Sequence, residues 1–551
     1  MARRFSIACE RSGLVVALMI YIGLAVWLGY LRRDQLNPDA VCYLRNAQYL
    51  ADGRIADSIS SYWSPLLSWC IAPLVCLGID SVHAARWVLG IWGAATVLAS
   101  YCLLRSLLPR AGALGAVGLC VISVYAAQLA TKDIVPDVCL AAMLLAYCAA
   151  AASRRFVHRS AFQLLAGGVA GLAYLAKAYA LPFFLVHFTF TAYHRILARD
   201  GVRNPCRASL AWLRGMCAFL IIVAPWIAVL SAKHGKLTIA TAGRAAHAII
   251  GPPDKPRDHD IWRLRPIAKG RICVWETPEV LRYNEWSPWE SRAYFLHQVR
   301  YAYATTQSIF SSIGRYDFLG MCLPAFFLAP IVMSRPHWNV CRRRSFWIAA
   351  TAGIYASGFV LVFWEDRYTR PFVFPLGVLH GGILCPIWFR RSAARLGVSL
   401  LSRKIAVAVV SGSFVAGSLF PLYIFGHSAL RLQGTWRRIA VSMKNEGCQG
   451  GIASLGVSFE SLYLAYQLDE PYFGVPETGD ASEIEEALRD NGARTLVVDG
   501  DAEGAAEFSR RTTWESRFTF KREDGVEVKI YRPPQGPGGF IGEREPQAAE
   551  D

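Results

Sequence analysis

Residues 37–68 read NPDAVCYLRNAQYLADGRIADSISSYWSPLLS and lead into the apolar run Pro65–Gly78, PLLSWCIAPLVCLG. Whether that run crosses a membrane sets the side on which everything after it lies. As a helix, Pro65–Gly78 covers only about 21 Å, short of the roughly 30 Å of a hydrocarbon core, and Pro73 interrupts it. It reads as a re-entrant or interfacial segment. Upstream, Asp39 stands where the first apolar helix ends. A helical segment follows with Tyr43, Ala47 and Leu50 on one face, and a Trp63-Ser64-Pro65 turn sends the chain back into apolar sequence. A carboxylate at a membrane surface suits general-base work on a substrate delivered from the bilayer. The plainer reading is a cap for the helix that begins beside it.

The rest of the composition agrees with a membrane setting. Of 551 residues, 54% are hydrophobic and 12% aromatic, with a mean hydropathy of +0.30, which excludes an ordinary soluble enzyme. The net charge of +17 is carried in short Arg clusters between apolar spans, so it marks topology rather than a nucleic-acid surface. The 15 cysteines form no CxxC pair or zinc-ligand spacing and lie mostly in apolar runs, as packing thiols do. MARRFSIACERSG before Leu14–Leu31 has no small-residue cleavage site, and reads as an uncleaved first span.

Further spans read at His83–Leu107, Gly112–Ala130, Val135–Ala152, Phe162–Lys177, Leu181–Ile196, Leu210–Leu230 and Phe318–Met333. Phe346–Trp364, Pro371–Trp388 and Ile405–Phe425 complete a set of about eleven. With the N-terminus inside and Pro65–Gly78 not crossing, the dense basic loops all fall in the cytoplasm. They include Arg105/Arg110, Arg154/Arg155/Arg159, Arg195/Arg199/Arg203/Arg207, Arg342–Arg344 and Arg390–Lys404. A crossing would send them outside, against the orientation bias. The expected fold is thus a polytopic α-helical membrane domain over residues 1–426 with one re-entrant segment. A small exoplasmic α/β domain over 427–532 and a disordered tail over 533–551 follow.

This topology gathers the unusual polar residues on the outer face. The first outer loop (31–82) carries Asp39, and TKDIVPD carries Asp133 and Asp137. Lys177 ends LAYLAKAYALP, and WEDRYTR supplies Arg367, Tyr368 and Arg370. The long outer segment, residues 231–317, is rich in Pro and Trp and reads as a lid or acceptor-side loop with an amphipathic helix near Tyr294–Ile309. His259, flanked by Asp258 and Asp260, has no second His at ligand spacing and reads as a solvated turn. After Phe425, a surface helix over Arg431–Asn445 precedes strand-like Gly451–Gly456, Pro471–Val475 and Thr495–Asp499. These alternate with helix-like Ser458–Leu468 and Ala481–Asn491, and a hairpin over Phe518–Tyr531 closes the domain. GGIASLG there is no dinucleotide fingerprint.

On residue chemistry, one of Asp39 and Asp137 deprotonates an acceptor hydroxyl while the other orients the acceptor or holds a divalent cation, the only cofactor these residues suggest. Lys177 reads either as a snorkelling lysine or as a point charge for a lipid phosphate. Arg367 and Arg370 either hold a phosphate bidentately or anchor a helix end.

PDAVCYLRNAQYLADG resembles the acidic first-loop motif of the GT-C glycosyltransferases, nearest to the protein O-mannosyltransferase and aminoarabinose-transferase branch. TKDIVPDVCLAAMLL resembles that branch's second acidic motif, GGVAGLAYLAKAYALP its glycine-rich helix ending in Lys, and EDRYTRPFVFPL its Arg-Tyr-x-x-Pro signal. The likeness covers Leu14–Phe425. It implies transfer of a sugar from a polyprenyl-phosphate donor to an acceptor hydroxyl, with inversion at the anomeric carbon. By the resemblance, Asp39 is the base, Asp137 its acidic partner, and Lys177 and Arg367 the donor-phosphate contacts. The reading of the residues themselves adds Arg370 as a further phosphate contact, with Tyr43, Asp133 and Tyr368 in support. Two positions depart from the pattern: Ala40 replaces the second acid of an Asp-Glu pair, and Ser64 replaces a Lys before the turn proline. The implied partners are the lipid-linked donor, the membrane and a lipid, polysaccharide or protein acceptor, with no nucleic acid. The general look of the chain favours a bacterial inner membrane, while the Arg-rich cytoplasmic loops are also compatible with an endoplasmic-reticulum membrane. A transporter or lipid flippase is the alternative, but the chain shows no internal repeat and its charges sit at span ends rather than at the midplane.

Overall fold

The computed structural model describes residues 2–107, 112–197, 205–255, 260–281, 284–315, 340–395, 435–448, 450–477, 480–522 and 525–534. His259, the spans expected over Phe318–Met333 and Ile405–Phe425, and nearly all of the tail lie outside them. The chain forms two compact units. The first comprises Met1–His259 with Leu281–Gln433, and the second Asp260–Val280 with Gly434–Asp551.

The first unit is helical. A long opening helix, α1 (Ala2–Leu31), is followed by α2 (Pro38–Ala51), the short α3 (Ile55–Ser58) and α4 (Leu66–Cys76). Next come α5 (Ser81–Leu107), α6 (Gly112–Lys132), α7 (Asp137–Ala152), α8 (Arg154–His158) and α9 (Ser160–Ala176). The unit continues with α10 (Ala180–Leu197), α11 (Pro205–His234), α12 (Ala242–Ile249), α13 (Arg292–Arg315), α14 (Val340–Ser357) and α15 (Asp366–Arg395). Among the described residues, Ser12–Leu31, Ser81–Leu107, Gly115–Lys132 and Pro205–His234 are long and apolar enough to cross a membrane. Leu66–Cys76, Asp137–Ala152 and Ser160–Ala176 are shorter apolar helices. With 11 residues, α4 extends about 16 Å, half of what a crossing needs.

The helices are held by small residues where backbones meet and by a few buried polar ties, as expected where water does not drive association. Gly167 faces the carbonyl of Gly215, and Gly171 faces Ile222, so that α9 and α11 approach more closely than any side chain would allow. Tyr21 of α1 donates to the Gly90 carbonyl of α5 at 2.6 Å. At the centre His187 is fully buried. Its Nδ1 lies 2.7 Å from the Tyr147 hydroxyl and its Nε2 2.8 Å from that of Thr351. The imidazole thereby links α7, α10 and α14, and a polar group that would be costly to bury is satisfied on both sides.

The second unit is a five-stranded sheet of order β2-β1-β3-β5-β4. Its strands are β1 (Ile452–Leu455), β2 (Tyr472–Gly474), β3 (Thr495–Asp499), β4 (Glu515–Lys521) and β5 (Glu527–Arg532). The first three are parallel, and β5 runs antiparallel to both β3 and β4. The helices are α16 (Thr435–Asn445), α17 (Ser458–Leu468), α18 (Ala481–Asp490) and α19 (Ala505–Arg511). All positions of β1 and β3 are buried, as in central parallel strands. The last helix, α19, has no counterpart in the sequence-based reading.

Part of the long segment read as one outer loop belongs to this second unit. The Leu264 amide donates to the Val475 carbonyl at 2.8 Å, Arg265 to Phe473 at 3.0 Å, and Tyr472 to the Ile272 carbonyl at 2.6 Å. The segment therefore covers the open edge of β2, where unpaired backbone groups would otherwise be exposed. Gly474, at φ +109°, allows it, because a Cβ there would overlap the carbonyls of Trp262 and Arg263.

Candidate active site

Helix α2 begins at Pro38, whose fixed φ suits a first helical position. Asn37 is its cap residue but makes no side-chain cap bond. Instead its Oδ1 accepts from the Ile134 amide at 2.9 Å, tying the first loop to the loop before α7. Asp39 thus lies in the first turn rather than at the cap, which removes the plain capping reading of this residue. Its carboxylate accepts from Arg367 Nη1 at 2.7 Å. The same guanidinium reaches Glu365 through Nε at 2.5 Å, so Arg367 is shared between two acids.

Asp137 opens α7 in the same way, in the first turn after Pro136, where a negative charge complements the helix dipole. Its partner is Lys177, with Nζ 2.7 Å from Oδ1. Lys177 follows directly on α9 in extended conformation, φ −157° and ψ 124°. That break in the helix sends its side chain toward α7, and the ammonium also sits 4.1 Å from the centre of the Tyr368 ring. The Arg367 guanidinium lies 5.5 Å from the same ring. Tyr368 therefore stands between the two ion pairs as a common cation–π surface.

Tyr43 lies under the cluster. It is buried, packs edge-on against Trp63 with centroids 5.3 Å apart, and its carbonyl accepts from Ser68 at 2.9 Å. Burial holds its hydroxyl well above the usual phenol range, and the charges of Asp39 and Asp137 push the same way against Arg367. The phenol is accordingly a neutral donor beside two carboxylates.

Asp39, Asp137, Lys177, Arg367, Tyr368 and Tyr43 are thus brought together from four separated parts of the chain. Asp133 and Arg370 are placed differently. Asp133 faces Arg32, whose guanidinium burial pushes down to about 10 while the Asp133 charge works in the opposite direction. Arg370 donates to Asp366 at 2.8 Å and to the Ser312 hydroxyl at 3.1 Å, fastening the start of α15 to α13. Two positioning residues were not singled out in the sequence: Arg86 lies outside the motifs, and Glu365 lies within EDRYTRPFVFPL. Arg86 donates through Nη1 to the Thr131 carbonyl at 2.8 Å and through Nη2 to the Gln35 carbonyl at 2.7 Å, bracing both acidic loops with one planar fork. Glu365 is the other, as the second partner of Arg367.

Among the described residues, no three His, Cys, Asp or Glu side chains are grouped to hold a metal ion. Each site carboxylate already faces a cationic side chain, a donor set that does not fit a divalent cation.

Residues 63–228 match the family described as dolichyl-phosphate-mannose-protein mannosyltransferase, a stretch that contains Asp137 and Lys177. Among solved structures, ArnT from Cupriavidus metallidurans in the apo state shares 15% identity over 94% of this chain and 98% of that one, with a TM-score of 0.55. The same protein bound to undecaprenyl phosphate gives 15% identity, coverage of 93% and 97%, and a TM-score of 0.51. The oligosaccharyltransferase AglB from Archaeoglobus fulgidus, in complex with an inhibitory peptide and a dolichol-phosphate, gives 10%, 95% and 75%, and 0.52. A search of curated protein sequences finds no match. The chain has the fold of the GT-C membrane glycosyltransferases. Within that class, its resemblance to the mannosyltransferase and aminoarabinose-transferase branch holds.

Proposed function

We propose that the protein is a glycosyltransferase that moves a sugar from a polyprenyl-phosphate donor to an acceptor hydroxyl at the exoplasmic face of the inner membrane. The observation that carries this reading is the convergence of Asp39 and Asp137, each paired with a cation, in the first turns of two helices. ArnT bound to undecaprenyl phosphate and AglB with a dolichol-phosphate have the same fold, which supports a lipid-phosphate donor here.

In this mechanism Asp39 takes the acceptor proton as the acceptor oxygen attacks the anomeric carbon. The bond from that carbon to the phosphate oxygen breaks, and the lipid phosphate leaves with the electron pair. Arg367 turns from Asp39 to the donor phosphate as the donor binds, freeing the carboxylate at the moment it is needed and leaving Glu365 to hold the guanidinium in plane. Lys177, kept in place by Asp137 and Tyr368, supplies a second positive charge. Positioning and charge stabilisation carry most of the catalysis, because the phosphate is already a good leaving group.

Purified protein offered a panel of polyprenyl-phosphate sugars should release polyprenyl phosphate from one of them, and release from none would overturn the proposal. Orientation is tested apart from chemistry. A reporter active only outside the cytoplasm should work when fused after Gly500 and stay silent after Arg343; the reverse would place the site on the other face.

A further inference from the structure

Along α7, from Ala142 to the end away from Asp137, runs a furrow of about 610 Å³, lined by α5, α7, α8 and α9. Its floor is Ala142, Ala146, Ala149 and Ala150, short side chains that leave a channel between neighbouring helices, and Leu98 and Leu165 form its walls. Along α5 it runs from Trp92 to Arg105, about 20 Å. Among the described residues, the charged ones in its lining are Arg105 and Arg155, both at one end, and no carboxylate lines it. The Arg155 guanidinium sits 5.6 Å from the centre of the Phe162 ring, over the mouth. Arg154 and Arg159 are exposed at the same end.

We propose that this furrow binds an anionic phospholipid, with the phosphate at Arg105 and Arg155 and one acyl chain laid along the alanine floor. Charge complementarity selects the headgroup: two guanidiniums at the end of an apolar channel suit a phosphodiester. Shape suits an acyl chain: an apolar channel about 20 Å long, floored by alanines, takes an extended chain lengthwise. The guanidinium end of the furrow is set apart from the acidic cluster, since the 16 residues of α7 put about 24 Å between Asp137 and the helix end beside Arg155. In the orientation proposed above, the guanidiniums face the cytoplasmic leaflet, whose anionic lipids attract basic residues at the membrane surface.

The test titrates phosphatidylglycerol and phosphatidylethanolamine into the delipidated full-length protein and follows bound lipid by native mass spectrometry. Wild-type protein should bind phosphatidylglycerol at least about tenfold more tightly, as two such charges imply, and salt should weaken the preference. The Arg105→Gln/Arg155→Gln double variant should bind both lipids alike. Ala146→Leu, which fills the floor, should weaken both while leaving the guanidiniums in place. Equal affinity of wild-type protein for the two lipids would overturn the proposal, as would a preference that survives the double variant. If that variant does not fold, wild-type preference and Ala146→Leu still decide it: unchanged phosphatidylglycerol binding with the floor filled counts against the site.

Discussion

The loop before α2 and the loop before α7 each present an aspartate in the first turn of a helix, yet they treat it differently. The Asp137 side chain is 3% exposed and its lysine partner 26%, so the pair is closed at one end. The Asp39 side chain is 17% exposed, and its arginine is divided with Glu365. One carboxylate is locked to a dedicated cation, and the other is held by a cation that already has somewhere else to go. The second loop is built to keep a charge in place and the first to release one. In the proposed mechanism this difference is what makes Asp137 the positioning acid and Asp39 the base.

The largest effect should come from Asp39→Asn. It keeps shape and polarity but removes basicity, and general-base catalysis is typically worth about 10² to 10⁴ in rate. Transfer should fall at least about a hundredfold while the melting temperature stays near wild type, because Asp39 does not cap its helix. If Asp39→Asn stays active while Asp137→Asn does not, the two loops have their roles exchanged.

A smaller effect is expected for Arg86→Gln. With both acidic loops loosened, turnover should drop about tenfold, since small misplacements of reacting groups are costly. Arg86→Lys should not restore it, because a point charge cannot brace two carbonyls as a planar fork does. Full activity in the lysine variant would show that the brace is dispensable. Smaller again, Lys177→Ala should raise the KM for the lipid donor more than it lowers kcat. Unchanged kinetics with lower thermal stability would make Lys177 a structural partner of Asp137 only.

The smallest effect on transfer should come from Glu485→Gln in the second unit, which separates stability from chemistry. Glu485 accepts from the Thr512 hydroxyl and from the Thr513 amide and hydroxyl, each at 2.6 Å. Although burial works against the charged form, these donors prevail and hold its carboxyl below the usual range. A depressed folded-state pKa contributes stability above the unfolded value of about 4.3, and that contribution is lost as pH falls through the folded value. The substitution should cost about 2 kcal/mol near neutral pH and progressively less on acidification. A penalty that does not shrink in acid would mean that the charge of Glu485 is not what holds the α19–β4 connection to α18.

Asp39, Asp137, Lys177 and Arg367 were legible in the sequence because each stands where an apolar run meets polar residues, a position that needs a reason. Arg86 and Asn37 gave no such signal. Their partners are backbone groups of loops 45 to 97 residues away, and any residue type supplies a backbone carbonyl or amide. Arg370 was misleading for the opposite reason, since its spacing from Arg367 suggests a shared task while its contacts run to Asp366 and Ser312. The strands of the second unit fall close to where alternation and turn residues place them. Residues 260–280 have no period, so nothing in them announces that they lie along a sheet edge.

The covering of that edge has a consequence for anyone cutting the protein into pieces. The second unit is discontinuous in sequence, since Asp260–Val280 is interposed within the helical unit and the remainder begins only at Gly434. A fragment expressed from Gly434 onward would contain every strand of the sheet and still bare the flank of β2, including the backbone of Phe473. It should self-associate through that flank. Supplying residues 260–280 as a separate peptide should return it to a monomer, and this complementation would make the two pieces a natural split pair.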